Sequence, residues 1–163
     1  MVSVIIFTGT PATGKTTLAR EIAEKLNYEY LEIKEYCKNK GIYSKLDDDG
    51  TIVIDTDVMT SHIKDYITHQ PKSIIIDGHL SHFLSPDYVD FCFVTTCDIN
   101  ILNHRLVKRG YSESKIRENL DSEIFQICLN EANEIGHNPY VINTNSSIES
   151  TIESLILQIS GKN

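Results

Sequence analysis

The sequence predicts a doubly wound α/β fold, a parallel sheet of about five strands with helices packed on both faces. Three observations point there. Strand-like apolar runs alternate with helix-like amphipathic runs, the pattern of a sheet covered on both sides. The first apolar run, "VSVIIFT", feeds directly into a glycine-bracketed loop and an amphipathic stretch, "GTPATGKTTLAREI". The 163 residues also show no repeat, low-complexity tract or linker, so one domain, residues 1–163, accounts for the chain.

Each element follows from local pattern. Residues 2–8 read as a fully buried strand and residues 16–27 as a helix, with Leu18, Ile22, Ala23 and Leu26 on one face. Residues 28–33 suggest a short second strand. The stretch 34–55 is irregular and charged, and includes Asp47, Asp48, Asp49 and Gly50. Taking Gly50 as the sixth place of a calcium loop puts Lys45 first and Thr56 twelfth, both unsuitable ligands there, so the acidic run reads as a solvated turn. Thr56 or Asp57 caps a helix to about His69. Residues 72–76 form a buried strand ending at Asp77 and Gly78, and residues 90–96 form another. Asp98 caps a helix to Lys108, which Gly110 breaks. A long helix then starts at Ser112 or Ser114, carries Ile116, Leu120, Ile124, Ile127 and Cys128 on one face, and closes at Gly136. Residues 140–143 and 147–159 supply a last strand and a last helix.

Bulk properties narrow the function. Apolar residues are 40% of the chain, yet no uninterrupted apolar stretch approaches the roughly 20 residues that span a bilayer. The start of the sequence lacks a charged n-region and a cleavage site, so the expected location is the cytoplasm, with no membrane partner. A net charge of −8 argues against nonspecific nucleic-acid binding over the whole surface, and no direct DNA contact is expected. Cys37, Cys92, Cys97 and Cys128 show neither C-x-x-C nor zinc-like pairing, and Cys92 and Cys128 fall in apolar periodic runs as small buried hydrophobes. The cations are uneven: Arg105, Lys108, Arg109, Lys115 and Arg117 share a short window with one acid, Glu113.

The chemistry is concentrated at the loop. "GTPATGKT", residues 9–16, matches the phosphate-loop pattern G-x-x-x-x-G-K-[ST] at every fixed place. Gly9 lets the chain leave the strand in a tight turn, and Gly14 lets backbone amides approach phosphate closely. Those amides and the helix N-terminus make a positive concavity for the phosphates of ATP. Lys15 reaches the β- and γ-phosphates, the Thr16 hydroxyl is placed to ligate Mg²⁺, and Thr17 meets the α-phosphate. Asp77, at the end of the run "IIID", is the acid that a magnesium–nucleotide site wants on a neighbouring strand. His79 follows, placed to contact the attacking oxygen or to orient water. His79 and His82 as a zinc pair lack a third ligand of suitable spacing. Arg105 and Arg109 lie one helical turn apart, and with a hinge at Gly110 they suit a short lid at about 108–118 that stabilises a phosphoryl group in flight.

Three fates for that group are distinguishable. A guanine-reading N-K-x-D and a D-x-x-G are missing from suitable places, which argues against a switch GTPase; large motor ATPases need longer chains. A small-molecule kinase remains, with 34–55 as its acceptor-binding insert.

"GTPATGKTT", "IIIDGHL" and "VKRGYSESKIRENLDSEIFQICLNEA" together resemble the atypical adenylate kinases of the isoenzyme-six type, found in archaea and eukaryotic nuclei. The resemblance covers nearly the whole chain. It implies phosphoryl transfer from ATP to AMP or another nucleoside monophosphate, a slow ATPase side reaction, and assistance to small-ribosomal-subunit maturation through a platform ribosomal protein; separately, a monomer is expected. It places Ala12, Gly14, Lys15, Thr16, Thr17 and Arg109 at the nucleotide, Asp77 and His79 in the metal-and-base segment, and Asn145 near adenine. The monophosphate region falls at about 33–55, with Lys38, Asp55 and Asp57 on the acceptor side. The family usually has glycine where this chain has Ala12, and commonly an arginine where it has Lys38, a point charge without the bidentate fork.

Overall fold

The computed structural model of the chain describes residues 2–46 and 52–161. The acidic run Asp47–Asp49, read above as a solvated turn, lies outside them. The sheet is built around β1 (Val4–Gly9), whose residues VIIFTG are buried throughout. An apolar run with few polar interruptions is what burial on both faces demands. Parallel to it lie β5 (Ile74–Asp77), with Phe7 opposite Asp77, and β6 (Phe91–Thr96), with Phe7 opposite Phe93. Outside these, β2 (Glu29–Glu32) pairs with β5 and β7 (Tyr140–Asn143) pairs with β6, giving the five-stranded order β2-β5-β1-β6-β7. From β1 the chain goes to one edge for β2, returns to β5 beside β1, and then crosses to the other side for β6 and β7, so the carboxyl end of β1 opens into the crevice where such sheets bind ligands.

Alternate residues of β1 serve opposite faces. Ile5 and Phe7 join Ile75, Phe93, Leu18 and Ile22 of α1 (Lys15–Leu26), and Ile152, Leu155 and Ile159 of α7 (Ile148–Gly161). Val4 and Ile6 join Ile74, Ile76, Cys37 of α2 (Ile33–Lys40), and Met59, Ile63 and Ile67 of α3 (Thr56–Thr68). Each fully buried aliphatic or phenyl side chain contributes about 1.5–3 kcal/mol of transfer free energy. A third, smaller cluster ties the loop residue Ala12 to Cys97 and to Leu102 and Leu106 of α4 (Ile99–Lys108).

Two expectations are corrected. The irregular stretch holds α2, which Glu32 caps by accepting from the amides of Lys34 and Glu35, with Ile33 and Cys37 buried one turn apart and Gly41 left-handed at its end. It also holds a small antiparallel pair, β3 (Lys45–Leu46) with β4 (Ile52–Val53). The long helix is in fact two, α5 (Glu113–Ile124) and α6 (Ile127–Ile135), joined by an elbow in which Gln126 is left-handed at φ 50°. The halves serve different surfaces: Ile116 and Leu120 pack against the α4 cluster, while Ala132 packs against the sheet. Ile124 and Ile127, expected on a buried face, are 55% and 40% exposed, and Phe125 between them is 64% exposed. The elbow is pinned by side chains. Glu123 Oε1 accepts from the Thr96 hydroxyl and the Cys97 amide, and Asn130 Nδ2 donates to the Phe125 carbonyl.

Candidate active site

At the carboxyl end of β1 the chain turns at Gly9, φ 137°, where a Cβ would stand 2.5 Å from the Thr95 carbonyl oxygen. That approach is closed to any side chain. The turn is held internally, the Thr13 hydroxyl donating to Thr10 O at 2.7 Å, and Ala12 takes the left-handed φ of 70° that a glycine holds without strain. Gly14, also left-handed, precedes α1 and offers no side-chain cap. The first amides of a 12-residue helix are therefore free for an anion. Lys15 begins that helix and is buried, its Nζ 3.3 Å from Thr10 O. Burial pushes its pKa below the ordinary lysine value; the Asp77 carboxylate opposes this, and the Arg109 charge adds to it.

Asp77 closes the other wall. Its Oδ2 accepts from the Thr16 hydroxyl at 2.6 Å and the Tyr30 hydroxyl at 2.8 Å. Its Oδ1 is the one buried side-chain nitrogen or oxygen without a protein partner among the described residues. An orphaned carboxylate oxygen is costly unless something else serves it. Beside a hydroxyl and facing a phosphate loop, it suits a hard cation such as Mg²⁺ that takes most of its ligands from water and phosphate. The described residues hold no cluster of three or more His, Cys, Asp or Glu that would cage a metal, and both ring nitrogens of His82 meet other side chains, Thr8 and Glu131.

His79 follows Gly78 at the end of β5, near enough to Lys15 and His82 to feel their charges. Crowding by its surroundings, then the charges of Lys15 and His82, push the imidazole down, so it is neutral at pH 7; contact with solvent tempers that shift without changing its direction. Arg105 differs from expectation. Its guanidinium faces protein acceptors, with Nη1 3.3 Å from both Ala12 O and Thr144 Oγ1 and Nη2 3.2 Å from Thr144 O. Arg109 is exposed at the end of α4, and Gly110 beyond it is left-handed at φ 74°. Lys115 and Arg117 pair with Glu118 and Asp121 on α5. Asn145 supports the start of α4, its Oδ1 accepting from the Asp98 amide at 2.9 Å, while Asp98 itself makes no side-chain cap bond. Thr17 is exposed where a groove of about 670 Å³ opens between α1 and α7, along Ile148 and Ile152. Of the residues expected on the acceptor side, Lys38 is exposed in the last turn of α2, Asp55 caps α3 by accepting from the amides of Asp57 and Val58, and Asp57 is exposed.

Tyr30 and Thr144 escaped the sequence reading. Tyr30 carries no motif and reaches Asp77 because β2 pairs with β5. Thr144 hands its hydroxyl to Thr13 O at 2.6 Å from a loop 131 residues away.

Loop, buried lysine and strand-end aspartate at the switch point of a parallel sheet define a phosphate-loop protein of the small-molecule kinase fold. Solved structures share that fold: shikimate kinase from Bacteroides thetaiotaomicron, at TM-score 0.68 and 14% identity over 97% of this chain and 98% of that one; and deoxyadenosine kinase from M. mycoides, at TM-score 0.63 and 18% identity over 96% and 99%. A family profile described as AAA domain matches residues 5–126. A Methanocaldococcus jannaschii protein named "Putative adenylate kinase" is 36% identical over 97% of this chain and 86% of its own length. The adenylate kinase isoenzyme 6 homolog of Caenorhabditis elegans is 35% identical over 80% and 72%. The chain belongs to this AAA-domain family and to the adenylate kinase family of the isoenzyme-six type. No helix among the described residues is long and apolar enough to cross a membrane.

Proposed function

We propose that the chain is a nucleoside monophosphate kinase that moves the terminal phosphoryl group of ATP to AMP. One observation carries the reading: the unserved Asp77 Oδ1, buried beside Thr16 and Lys15 at an uncapped helix start. The loop amides and Lys15 hold the β- and γ-phosphates. Thr16 and Asp77 would hold Mg²⁺, which when bound would neutralise phosphate charge. Arg109 comes over the transferred group from the lid at 108–118, while Arg105 keeps Ala12 and Thr144 in register beneath it. Adenine enters beside Asn145 and the groove mouth at Thr17 and Ile148. Residues 33–55 bind the acceptor, with Lys38 as a point charge on its phosphate and Asp55 and Asp57 at the edge of that region. His79, neutral at pH 7, is free to accept a hydrogen bond or a proton from the attacking oxygen. The enzyme works as a cytoplasmic monomer.

A coupled assay of ATP consumption with AMP, CMP, GMP, UMP or no acceptor tests this. AMP-dependent ADP formation that Lys15→Ala removes from a folded protein is the expected result; consumption indifferent to every monophosphate overturns it. In that event hydrolysis stimulated by a small-subunit platform protein would mark a ribosome-maturation ATPase instead.

A further inference from the structure

Thr8, just before the first loop glycine, has one hydroxyl proton; the Cys128 thiol lies within its hydrogen-bonding reach, and two stronger acceptors compete for the proton. Its Oγ1 lies 2.6 Å from His82 Nδ1 and 3.3 Å from the His79 carbonyl oxygen. His82 is 1% exposed, and its other ring nitrogen, Nε2, stands 2.9 Å from Glu131 Oε2 on α6. A carboxylate only accepts, so Nε2 carries a proton and Nδ1 of the neutral ring is bare. The Thr8 hydroxyl then donates to Nδ1 and is denied to the His79 carbonyl. When the ring takes a second proton the roles reverse. Nδ1–H donates to Thr8 Oγ1, and the freed hydroxyl proton turns to the His79 carbonyl.

We propose that His82, with Glu131 and Thr8, is a positioning unit for the phosphate site: the proton count on a buried ring that touches no substrate sets whether the His79 backbone is tied to β1. The consequence for turnover rests on the kinase reading; the hydrogen-bond exchange does not. The groups facing the ring come from every neighbouring element. Thr8 comes from β1, and His79 and Phe83 from its own turn, the Phe83 ring 4.6 Å away. Glu131 comes from α6, as does Cys128, whose Sγ stands 3.9 Å from the same His79 carbonyl. His137, beyond α6, places Nε2 2.9 Å from the carbonyls of His82 and Leu84 and so fixes the turn independently. Burial favours the neutral ring and Glu131 the charged one; burial prevails, and the pKa lies below the ordinary value. At pH 7 the turn is therefore held by Ser81 and His137 rather than by Thr8.

Nitrogen-15 NMR of the full chain from pH 8 down through the His82 midpoint tests this without any activity. His82 is expected as the Nε2–H tautomer at pH 8, with the Leu80 amide, which follows the His79 carbonyl, shifting at the midpoint of His82. Glu131→Gln should move that midpoint down by about one pH unit. Thr8→Val should abolish the Leu80 response while His82 still titrates, and Thr8→Ser should restore it. In the kinase assay Thr8→Val should flatten an acidic limb of about fivefold in kcat, the equilibrium weight of one neutral hydrogen bond, with KM for ATP unchanged. An Nδ1–H tautomer at pH 8, or a Leu80 response that survives in Thr8→Val, overturns the proposal. The expected spectra from a protein inactive towards every monophosphate would uphold it and count against the kinase reading alone.

Discussion

The phosphate loop and the α5–α6 elbow sit at the same end of the sheet and bend by different means. The bend of the loop is shaped from within, by glycine backbone at Gly9 and Gly14, the Thr13 hydroxyl on Thr10 and the Lys15 ammonium on Thr10 again, and Thr144 and Arg105 then tie the bent loop to the fold. The elbow has no glycine. A left-handed Gln126 bends it, and carboxylates on either side hold it to distant strands, Glu123 to Thr96 and Cys97, Glu131 through His82 to Thr8. Binding surface is written locally here, and the frame that carries it is written across the fold.

Lys15→Met should break the loop half most sharply. Phosphoryl transfer should fall by about a thousandfold or more, while urea unfolding finds the variant as stable as the parent or more so, because a buried ammonium has been removed. A loss of both would show that the lysine also holds the fold. Glu123→Ala attacks the other half. It leaves the Thr96 hydroxyl and the Cys97 amide without their acceptor, at a cost of about 2 kcal/mol by urea titration; a negligible loss would mean the elbow needs no tether.

Acidification weighs on the same frame. His79 and His82 are neutral in the fold, their pKa values lowered, that of His79 to about 4. Below the unfolded histidine value of about 6.5 the unfolded chain binds more protons, so stability falls as pH drops through that value towards 4, at up to about 1.4 kcal/mol per unit for each fully shielded ring. His82, the better shielded, should carry most of it, and a flat profile from pH 7 to pH 5 in thermal melts would contradict this. Gln126→Gly should gain about 0.5 kcal/mol by relieving the left-handed backbone. Ala12→Gly should change stability by less than about 0.5 kcal/mol, since relief of φ is offset by the methyl it removes from Leu102 and Leu106.

The same division decides what could be read in advance. The parallel sheet, the loop, and the nearness of Thr16 to Asp77 follow from alternating apolar and amphipathic runs, a motif and an apolar run ending in an acid, signals contained in a few residues. Helix α2 was missed because its cap is a glutamate rather than a serine or aspartate, and because charged residues on its outer face hid the Ile33–Cys37 spacing. The elbow was missed because Ile124 and Ile127 keep helical spacing although the two helices pack on different surfaces. The contacts of Arg105 were hidden for a related reason: helical spacing puts it on a face with Arg109, but only the fold brings Thr144 within its reach. Tyr30 and the His82–Glu131 pair depend on strand register and helix docking, which no window of sequence contains.

All four cysteines are buried and free, and burial raises each thiol, Cys92 to about 12 and Cys37 and Cys128 to about 11. Alkylating reagents act on exposed thiolates. They sit at separate stations: Cys92 within β6, Cys37 under α2, Cys97 by the α4 cluster, Cys128 beside the elbow. The molecule thus carries four built-in clocks, and the order in which they react would date the loosening of each part of the fold.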